Sequence, residues 1–378
     1  MRGIYLTYVS TSEGERRLEP RLEEHVILPE LAPTDVMVQI KACALSRIDV
    51  QALRDLSGDL EQFPVGYEIS GIVTKVGESV SLIGITDQVC GILPIDTECP
   101  GCAEYCVVPE FCLIKKPFGV SHTDAAAILI PALRAYTCLE CKVKLQPNST
   151  LLLFSAYSSN GLAIIGLCEI LQIKVIAVVR NADEAEKLAT LYPSLYKILN
   201  LVNVKELLDI CKQETKGLGV NCIIDNGVHP GYSLADYDVM SQSVKDQLRH
   251  SLIRHEYETK PTPTHDLPTK QLIINMLATQ GQWITSCPEL QLDAPETRLL
   301  YLKGCSIHFL FEPVWSLSGS QQGTYIRILT DAVTKLKEGK LRPLVQYMVS
   351  LSQVSHEIVK LGAQQGRIIM TTDASHAT

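Results

Sequence analysis

The sequence predicts an α/β protein with two domains, one rich in β-strands and one built on a doubly wound parallel sheet. The first ~120 residues form short apolar runs separated by Gly and Pro, which is typical of strands and turns. From residue 150 onward, runs of strand length alternate with segments of helical length, which indicates parallel strands joined by right-handed crossovers. A chain of 378 residues is long enough for two domains of ~150 residues each.

The β-rich part is predicted from apolar runs that end at Gly or Pro. We expect Gly66, Gly71, Gly77 and Gly91 at turns or bulges. The predicted strands are Ile4–Val9, Val36–Ala42, Ile69–Val76, Val89–Leu93, Ala103–Val108 and Leu113–Lys115.

The alternating part is preceded by two predicted helices, Asp124–Ile130 and Ala132–Cys141. Strands and helices then follow one another at the spacing of a parallel sheet. In chain order they are strand Leu151–Phe154, helix Leu162–Leu171, strand Lys174–Val179, helix Ala182–Leu191, strand Tyr196–Leu199, helix Val204–Gln213 and strand Val220–Asp225.

The alternation stops at a polar, Pro-containing segment, His229–Thr269, which we interpret as an insertion. It is either a solvated loop or a partner-binding element. Beyond it the sequence predicts helix Lys270–Ala278, strand Gln282–Ser286, strand Ser306–Phe311, helix Thr324–Lys337, helix Gln353–Leu361 and strand Ile368–Met370. We therefore expect one domain from residues 1–122 with 312–378, and a second from residues 123–311.

Composition excludes several classes of function. The net charge of −8 argues against a nucleic-acid surface, which needs a basic stripe. The longest apolar stretch, Leu162–Val179, contains Glu169, Gln172 and Lys174, so we expect no membrane span. No signal peptide is expected at the beginning of the sequence. Thirteen scattered cysteines fit reduced thiols, and therefore a cytoplasmic protein.

The segment between the first strand and first helix of the alternating part has the layout of a dinucleotide-binding loop. Such a loop uses glycines to let the backbone approach a pyrophosphate at the helix N-terminus. Here Gly161 is the one glycine present, and serines, including Ser155 and Ser158, occupy the other positions. The sequence thus predicts the architecture of a nicotinamide site with a degraded phosphate cradle.

Two further residues are candidates for cofactor binding. The second strand ends at Arg180 with no acid at the strand end, so a bound dinucleotide is predicted to be NADPH, whose 2′-phosphate Arg180 would meet. Alternatively, Arg180 is a solvated residue at a strand end and has no role in cofactor binding. Asp225 ends the fourth strand, at the edge where ligands bind in open parallel sheets.

Five motifs stand out along the chain: VQIKACALSRID at residues 38–49, FPVGYEISG at 63–71, AEYCVVP at 103–109, RAYT at 134–137 and QGRIIM at 365–370. Together they resemble the quinone oxidoreductase branch of the medium-chain dehydrogenase/reductase superfamily. Finer motifs, GILPID at 91–96, LQLDAP at 290–295 and VWSLS at 314–318, are similar to the zeta-crystallin-like group of that branch. The resemblance implies a GroES-like β domain, a Rossmann domain and an oxidoreductase ancestry.

The resemblance also identifies candidate catalytic positions. Zinc-dependent members place a Cys and a His where this chain has Ser46 and Tyr67, so we expect no catalytic zinc. Asp49 and Tyr67 are the polar residues that the motif places near the substrate pocket. Tyr67 could donate a hydrogen bond there, or it is a packed aromatic after a Gly turn, which is the interpretation that we favour. Arg134 stands where the family usually has Thr, which weakens the case for catalysis.

A cluster of four cysteines is a candidate for a second kind of metal site, a structural zinc site. Cys99, Cys102, Cys106 and Cys112 have the spacing C-x2-C-x3-C-x5-C, and they fit either buried reduced thiols or a structural zinc site. We favour the thiols.

The resemblance implies partners as well. The zeta-crystallin-like group is described as a subunit of the Ferry complex, a Rab-effector assembly on early endosomes that handles mRNA. The predicted function is therefore a zinc-free, weakly active or inactive subunit of such an assembly. The alternative is an active NADPH-dependent reductase of quinones or enones. The strand at 303–311 matches the one that faces its counterpart in family dimers, and we expect a homodimer.

Overall fold

A computed structural model describes residues 1–10, 16–46, 49, 62–200, 204–225, 270–287, 290–317, 319–358, 361 and 366–372. The chain divides into two compact units, Met1–Leu133 with Glu312–Thr378, and Arg134–Phe311. The sequence predicts the first domain boundary between residues 122 and 123, in the first turn of helix α1 (His122–Tyr136), and the two compact units divide further along the same helix. The predicted insertion at residues 229–269 lies outside the described residues.

The first unit is built on two β-sheets. Its strands are β1 (Gly3–Ser10), β2 (Arg16–Glu23), β3 (Asp35–Leu45), β4 (Gln62–Pro64), β5 (Glu68–Val76), β6 (Gln88–Ile92), β7 (Tyr105–Pro109) and β8 (Leu113–Lys115). The C-terminal segment adds β15 (Val345–Ser350) and β16 (Arg367–Thr371). The smaller sheet has the order β2-β1-β4, and the larger has the order β15-β16-β3-β5-β6-β8, with β7 paired to β3. Because β16 pairs antiparallel with β3, the end of the chain completes the sheet begun by its N-terminal part.

Three strands of this unit, β2, β4 and β15, escape prediction, and each lies at the edge of its sheet. β2 reads RRLEPRLE, in which charges alternate with leucines around a proline, and it pairs along its length with β1. Charged residues and proline are features by which edge strands avoid further pairing, so β2 lacks an apolar signature. β4 has three residues and ends at a proline, whereas β15 (VQYMVS) has neither a charge nor a proline and this reason does not extend to it.

Helix α1 corrects the prediction of two separate helices. It continues through Pro131 to Tyr136, and a π-helical turn, Thr137–Lys142, follows it. Proline removes a backbone donor and crowds the preceding turn, which is why the sequence predicts a break there. Just before Pro131, the backbone N–H of Ile130 donates to Oε2 of buried Glu68 at 2.8 Å. The carboxylate therefore satisfies a backbone donor at the point where the helix is weakest.

The second unit is a parallel sheet flanked by helices. Its elements are β9 (Thr150–Leu153), α2 (Ser159–Ile170), β10 (Lys174–Val179), α3 (Ala182–Leu191), β11 (Lys197–Asn200), α4 (Val204–Glu214), β12 (Val220–Asp225), α5 (Lys270–Met276), β13 (Leu277–Thr285), α6 (Ala294–Lys303) and β14 (Ser306–Phe309). The strand order is β11-β10-β9-β12-β13-β14, and every pairing is parallel. This order, which reverses direction between β9 and β12, is that of a doubly wound Rossmann sheet. The predicted fold class is confirmed.

Strand β13 differs most from its predicted bounds. The sequence predicts a helix up to Ala278, whereas the strand already begins at Leu277. Gln280 has a positive φ of 59°, and the register with β12 shifts between Val220 and Cys222. The positive φ and the register shift interrupt the alternation of buried and exposed side chains from which a strand is predicted. Trp283 on this strand is completely buried in the core of the unit.

The last elements belong to the first unit. They are α7 (Val314–Leu317), α8 (Gln322–Lys337) and α9 (Val354–Glu357). The predicted helix Gln353–Leu361 is shorter in the structure, where a 3₁₀ turn, Leu351–Gln353, is followed by α9, which ends at Glu357. No helix in the described ranges is long and apolar enough to cross a membrane.

Candidate functional site

The loop between β9 and α2 makes the turn that a dinucleotide-binding site requires. Ser155 has a positive φ of 49°, the conformation for which glycine is normally used. The N–H of Ala156 donates to the carbonyl of Val178 at 3.0 Å, which ties the loop to neighbouring β10. The tight turn is thus retained although Ser155 carries a side chain.

Gly161 preserves the close approach of helix to strand. A Cβ atom at this position would lie 2.2 Å from the carbonyl oxygen of Ala156 and 2.8 Å from that of Ser155. Both atoms belong to the backbone, so a side chain has no room. Gly161 therefore has the packing role of the third glycine of a dinucleotide-binding fingerprint.

Ser158 occupies the N-terminus of α2 with its own side chain. Its hydroxyl donates to the carbonyl of Ser155 at 2.8 Å and accepts from the N–H of Gly161 at 3.1 Å. This N-cap satisfies an amide that would otherwise face an anion. A pyrophosphate at this helix would have to compete with Ser158 for the Gly161 N–H.

Arg180 lies at the end of β10 and is already paired. Its Nε donates to Oε1 of Glu184 at 2.8 Å, and its backbone N–H donates to Oε2 at 2.9 Å. Glu184 is buried, whereas 59% of the Arg180 side chain is exposed. The sequence analysis missed Glu184 as a nearby acid. Its signal was the capping pattern in which Asn181 caps α3 and Glu184 follows three residues later.

Asp225 ends β12 and is almost completely buried. Its Oδ2 accepts from the hydroxyl of Thr285 on β13 at 3.1 Å. Because β10, β9 and β12 are adjacent and parallel, the structure brings Arg180, Ser155 and Asp225 to the same carboxyl edge of the sheet. The predicted cofactor residues therefore share one edge, at the position where the strand order reverses.

In the first unit, Asp49 is fully buried with both carboxylate oxygens engaged. Oδ2 accepts from the N–H of Ser46 at 2.6 Å and from its hydroxyl at 3.1 Å, while Oδ1 accepts from the N–H of Gly66 at 2.7 Å. Burial raises the pKa of Asp49, and the backbone donors oppose that rise. The carboxylate of Asp49 therefore links the chain at Ser46 to the chain at Gly66.

Tyr67 follows Gly66 and lines an apolar pocket. Its side chain is 2% exposed, and its hydroxyl has no hydrogen-bond partner among the described residues. Burial and the nearby charge of Asp49 raise the pKa of Tyr67 well above its ordinary value, so the phenol stays protonated. It is a hydrogen-bond donor at a position where a zinc enzyme has an imidazole.

The pocket beside Tyr67 has about 360 Å³ of empty space, including its opening to solvent. It lies entirely within the first unit. The residues that line it are Tyr67, Ile92, Leu93, Ile95, Ile130, Leu133, Glu312, Pro313, Trp315, Ser316 and Tyr325. Tyr325 also has a hydroxyl there, which donates to the carbonyl of Ile92 at 3.4 Å.

Glu68 and Arg367 form a buried ion pair next to these residues, which sequence reasoning did not identify. Burial lowers the pKa of Arg367 to about 10, and the charge of Asp49 opposes that change. Arg367 lies on β16 and Glu68 on β5. The pair therefore fixes the C-terminal strand against the strand that carries the FPVGYEISG motif.

The cysteines do not gather into a metal centre in the part of the chain that the structure describes, where no three His, Cys, Asp or Glu side chains converge. Cys102 of the predicted cluster lies close to Cys43, with sulfur atoms 3.7 Å apart. Burial raises the pKa of both thiols. Protonated, buried thiols pack as small apolar groups.

Comparison with known proteins agrees with this geometry. Residues 32–120 match the alcohol dehydrogenase GroES-like domain. Mouse quinone oxidoreductase-like protein 1 is 35% identical over 373 residues, which cover 98% of this chain and 99% of the mouse protein. A quinone oxidoreductase from Pseudomonas syringae pv. Tomato DC3000 superposes with a TM-score of 0.71 at 18% identity, covering 98% of this chain and 99% of that one.

A mycobacterial protein solved with NADPH superposes with a TM-score of 0.70 at 17% identity, covering 98% of this chain and 100% of the other. Identities this low support the fold, whereas the mouse relative matches essentially the full length. The chain belongs to the quinone oxidoreductase-like protein 1 family, within the medium-chain dehydrogenase/reductase superfamily.

Proposed function

We propose that this protein is a zinc-free oxidoreductase relative that binds NADPH weakly, has weak or no reductase activity and works as a subunit of a protein assembly. One observation carries the proposal. The hydroxyl of Ser158 is bonded on both sides inside the loop, to the Ser155 carbonyl and the Gly161 N–H. The helix terminus is thus capped by the chain itself.

The consequence for NADPH follows from the competition at that terminus. A pyrophosphate gains from a helix N-terminus through free N–H groups and the helix dipole. Here one such N–H is already satisfied, and the side chains of Ser155 and Ser158 take space that glycines leave open. Bound NADPH would supply a hydride, but the loop offers it fewer contacts.

The absence of catalytic zinc is proposed from the donor set. Ser46 gives its hydroxyl to Asp49, and the Tyr67 phenol stays protonated. Neither is a thiolate or an imidazole, the ligands that zinc prefers. Polarisation of a substrate carbonyl would therefore depend on hydrogen bonding.

For the assembly, we propose a cytoplasmic homodimer that is a subunit of the early-endosomal Rab-effector complex linked to mRNA transport. The family resemblance supports that assignment. The net charge of −8 favours protein partners over direct contact with RNA. Exposed aromatics support self-association, because Phe309 on edge strand β14 and the following Phe311 are both exposed.

The experiment is NADPH binding to purified protein, measured by calorimetry on the wild type and Ser158→Gly. We expect weak binding by the wild type and tighter binding by Ser158→Gly, because the Gly161 N–H becomes available. Ser121→Gly is the matched control, since Ser121 caps α1 by accepting from the N–H of Asp124 at 3.0 Å. Tight binding by the wild type would refute the proposal, as would equal gains from both variants.

An active NADPH-dependent reductase of quinones or enones is the second candidate. Arg180 favours it, because its Nε is bonded to Glu184 while 59% of the side chain is exposed. Tight NADPH binding that Arg180→Glu abolishes, together with quinone turnover, would establish this candidate over the first.

A further inference from the structure

A cavity of about 160 Å³ opens in the second unit, at the edge of the sheet opposite to the nucleotide-type loop. Its walls come from α2, the beginning of β10 and the connection between α3 and β11. β10 runs from Lys174 to Val179, so about 17 Å of strand separates the cavity from the carboxyl edge where Arg180 lies. The cavity is therefore separate from the candidate cofactor site.

The interior of the cavity is apolar. It is formed by aliphatic side chains from α2, from β10 and from the connections that precede β10 and β11, namely Ile165, Ile173, Val175 and Leu195. An apolar cavity of ~150 Å³ holds a molecule of the size of benzene. This one therefore has room for a phenyl ring or a branched aliphatic side chain.

Two tyrosines in the wall are held in place by their own hydroxyls. Tyr192 donates to the carbonyl of Leu162 at 3.1 Å, and Tyr196 donates to Oε2 of Glu214 at 3.1 Å. Both rings line the cavity. Because these bonds fix the rings before any ligand arrives, binding would cost little side-chain ordering.

Two side chains of opposite charge lie at the rim. Glu169 is exposed, and its Oε1 accepts from the hydroxyl of Ser194. The Lys174 ammonium lies over the ring of Tyr196, with Nζ 5.5 Å from the ring centroid, and no acid pairs with it in the part of the chain that the structure describes. An apolar interior is thus bordered by one carboxylate and one ammonium.

We infer that this cavity binds a free α-amino acid with an apolar side chain. The side chain enters the cavity, the ligand carboxylate pairs with Lys174 and the ligand ammonium pairs with Glu169. Charge complementarity selects a zwitterion, because an anion alone would also meet the Glu169 carboxylate and a cation alone would also meet the Lys174 ammonium. The inference goes beyond the proposed function, since it gives the second unit a ligand outside the nucleotide edge.

The test compares L-phenylalanine with 3-phenylpropionate, which lacks the amine, and with 2-phenylethylamine, which lacks the carboxylate. Each is titrated into the full-length protein without nucleotide, and saturation-transfer NMR gives the affinity. We expect L-phenylalanine to bind ~5-fold more tightly than either analogue, the ratio that one exposed ion pair provides at most. Glycine, which has no apolar side chain, should not bind. Equal affinity for all three phenyl ligands would overturn the inference.

An uncharged probe separates a free amino acid from a side chain of a partner protein. N-acetyl-L-phenylalanine amide has the same phenyl group but neither charge, as in a peptide. We expect it to bind more weakly than L-phenylalanine. Binding as tight as that of L-phenylalanine would show that the cavity takes a protein side chain, and would refute the amino-acid site.

Variants assign the two charges. Lys174→Gln should weaken binding of L-phenylalanine and 3-phenylpropionate ~5-fold without weakening that of 2-phenylethylamine, and Glu169→Gln, which keeps an acceptor for Ser194, should show the converse. Lys197→Gln is the matched control, because Lys197 is an exposed lysine outside the cavity that pairs with Glu214 at 2.9 Å. Equal losses in Lys174→Gln and Lys197→Gln would contradict a direct contact.

NADPH distinguishes this site from the nucleotide edge. Saturating NADPH should leave the affinity for L-phenylalanine unchanged, because the two sites lie at opposite ends of β10. Displacement of L-phenylalanine by NADPH would place the ligand at the nucleotide edge and overturn the site. Because the amino-acid titrations contain no nucleotide, their failure leaves the proposal on the nucleotide loop standing, and failure of that proposal does not affect this one.

Discussion

Gly161→Ala tests whether the nucleotide-type turn is built as described. The new methyl would lie 2.2 Å from the Ala156 carbonyl oxygen and 2.7 Å from its carbon. Both are backbone atoms in a turn tied to β10, so the loop or helix α2 must move by about 1 Å to restore van der Waals contact. Overpacking of this kind costs about 1–3 kcal/mol.

Helix propensity opposes part of that cost, since alanine is favoured over glycine by up to ~1 kcal/mol. We therefore expect a net loss of about 1–2 kcal/mol in the free energy of unfolding, or a fall in Tm of about 2–8 °C at 2–4 °C per kcal/mol. Thermal unfolding followed by circular dichroism measures it.

Gly323→Ala provides the matched control. Gly323 lies in the first turn of α8, and a Cβ there meets nothing within 4 Å. The same substitution should leave stability unchanged or raise it slightly, because propensity acts without a clash. A Gly161→Ala protein as stable as the wild type would refute the described packing of the loop, and equal losses in both variants would show that the clash is not the cause.

Three further predictions concern other parts of the molecule. Burial raises the pKa of the Cys90 thiol from 9.0 to about 12, so the contribution of this thiol to the free energy of unfolding is complete below pH 9 and is lost as pH rises towards 12. Other buried cysteines add losses of the same sign, so between pH 8 and pH 10 Cys90→Ala should lose ~1.4 kcal/mol less than the wild type in urea unfolding, whereas Cys141→Ala, in which the replaced cysteine is exposed, should lose as much as the wild type. Phe309→Glu should convert the dimer to monomer by light scattering while Phe118→Glu, also exposed, does not; a wild-type monomer at micromolar concentration would defeat the dimer. Elemental analysis should find no stoichiometric zinc, and one zinc per chain retained after mild chelation would contradict the zinc-free proposal and favour a site at the cysteine cluster.

The second unit was largely predictable from sequence because its central strands, β9, β10 and β12, are almost completely buried. Lys174–Val179 and Val220–Asp225 have the same bounds in prediction and structure, since continuous apolar runs between helices allow little else. Edge strand β2 lacks that signal. Helix α1 continues through Pro131 because a carboxylate 62 residues earlier in the chain satisfies Ile130, and no local pattern contains that information.

The candidate site was also predictable only in part. Residue types and spacing were sufficient to place Ser155, Gly161 and Arg180 at one edge of the sheet. The partners of those residues were not predictable, because they depend on side-chain geometry. Glu184, which holds Arg180, was hidden in a capping pattern, and the pairing of Glu68 with Arg367 joins residues from opposite ends of the chain.

In each unit, a serine stands where the family has another residue type at the site. The hydrogen bonds of these serines determine which groups remain available to a ligand. Ser46 replaces a metal ligand type and gives its hydroxyl to Asp49, while Ser158 replaces an open loop position and gives its hydroxyl to Ser155. Both hydroxyls are bonded within the chain, so neither is free to bind a ligand. Tyr67 is different, because its phenol replaces an imidazole and is left without a partner in the described structure. Of these three replaced positions, Tyr67 is therefore the one whose hydroxyl is not already bonded within the described structure.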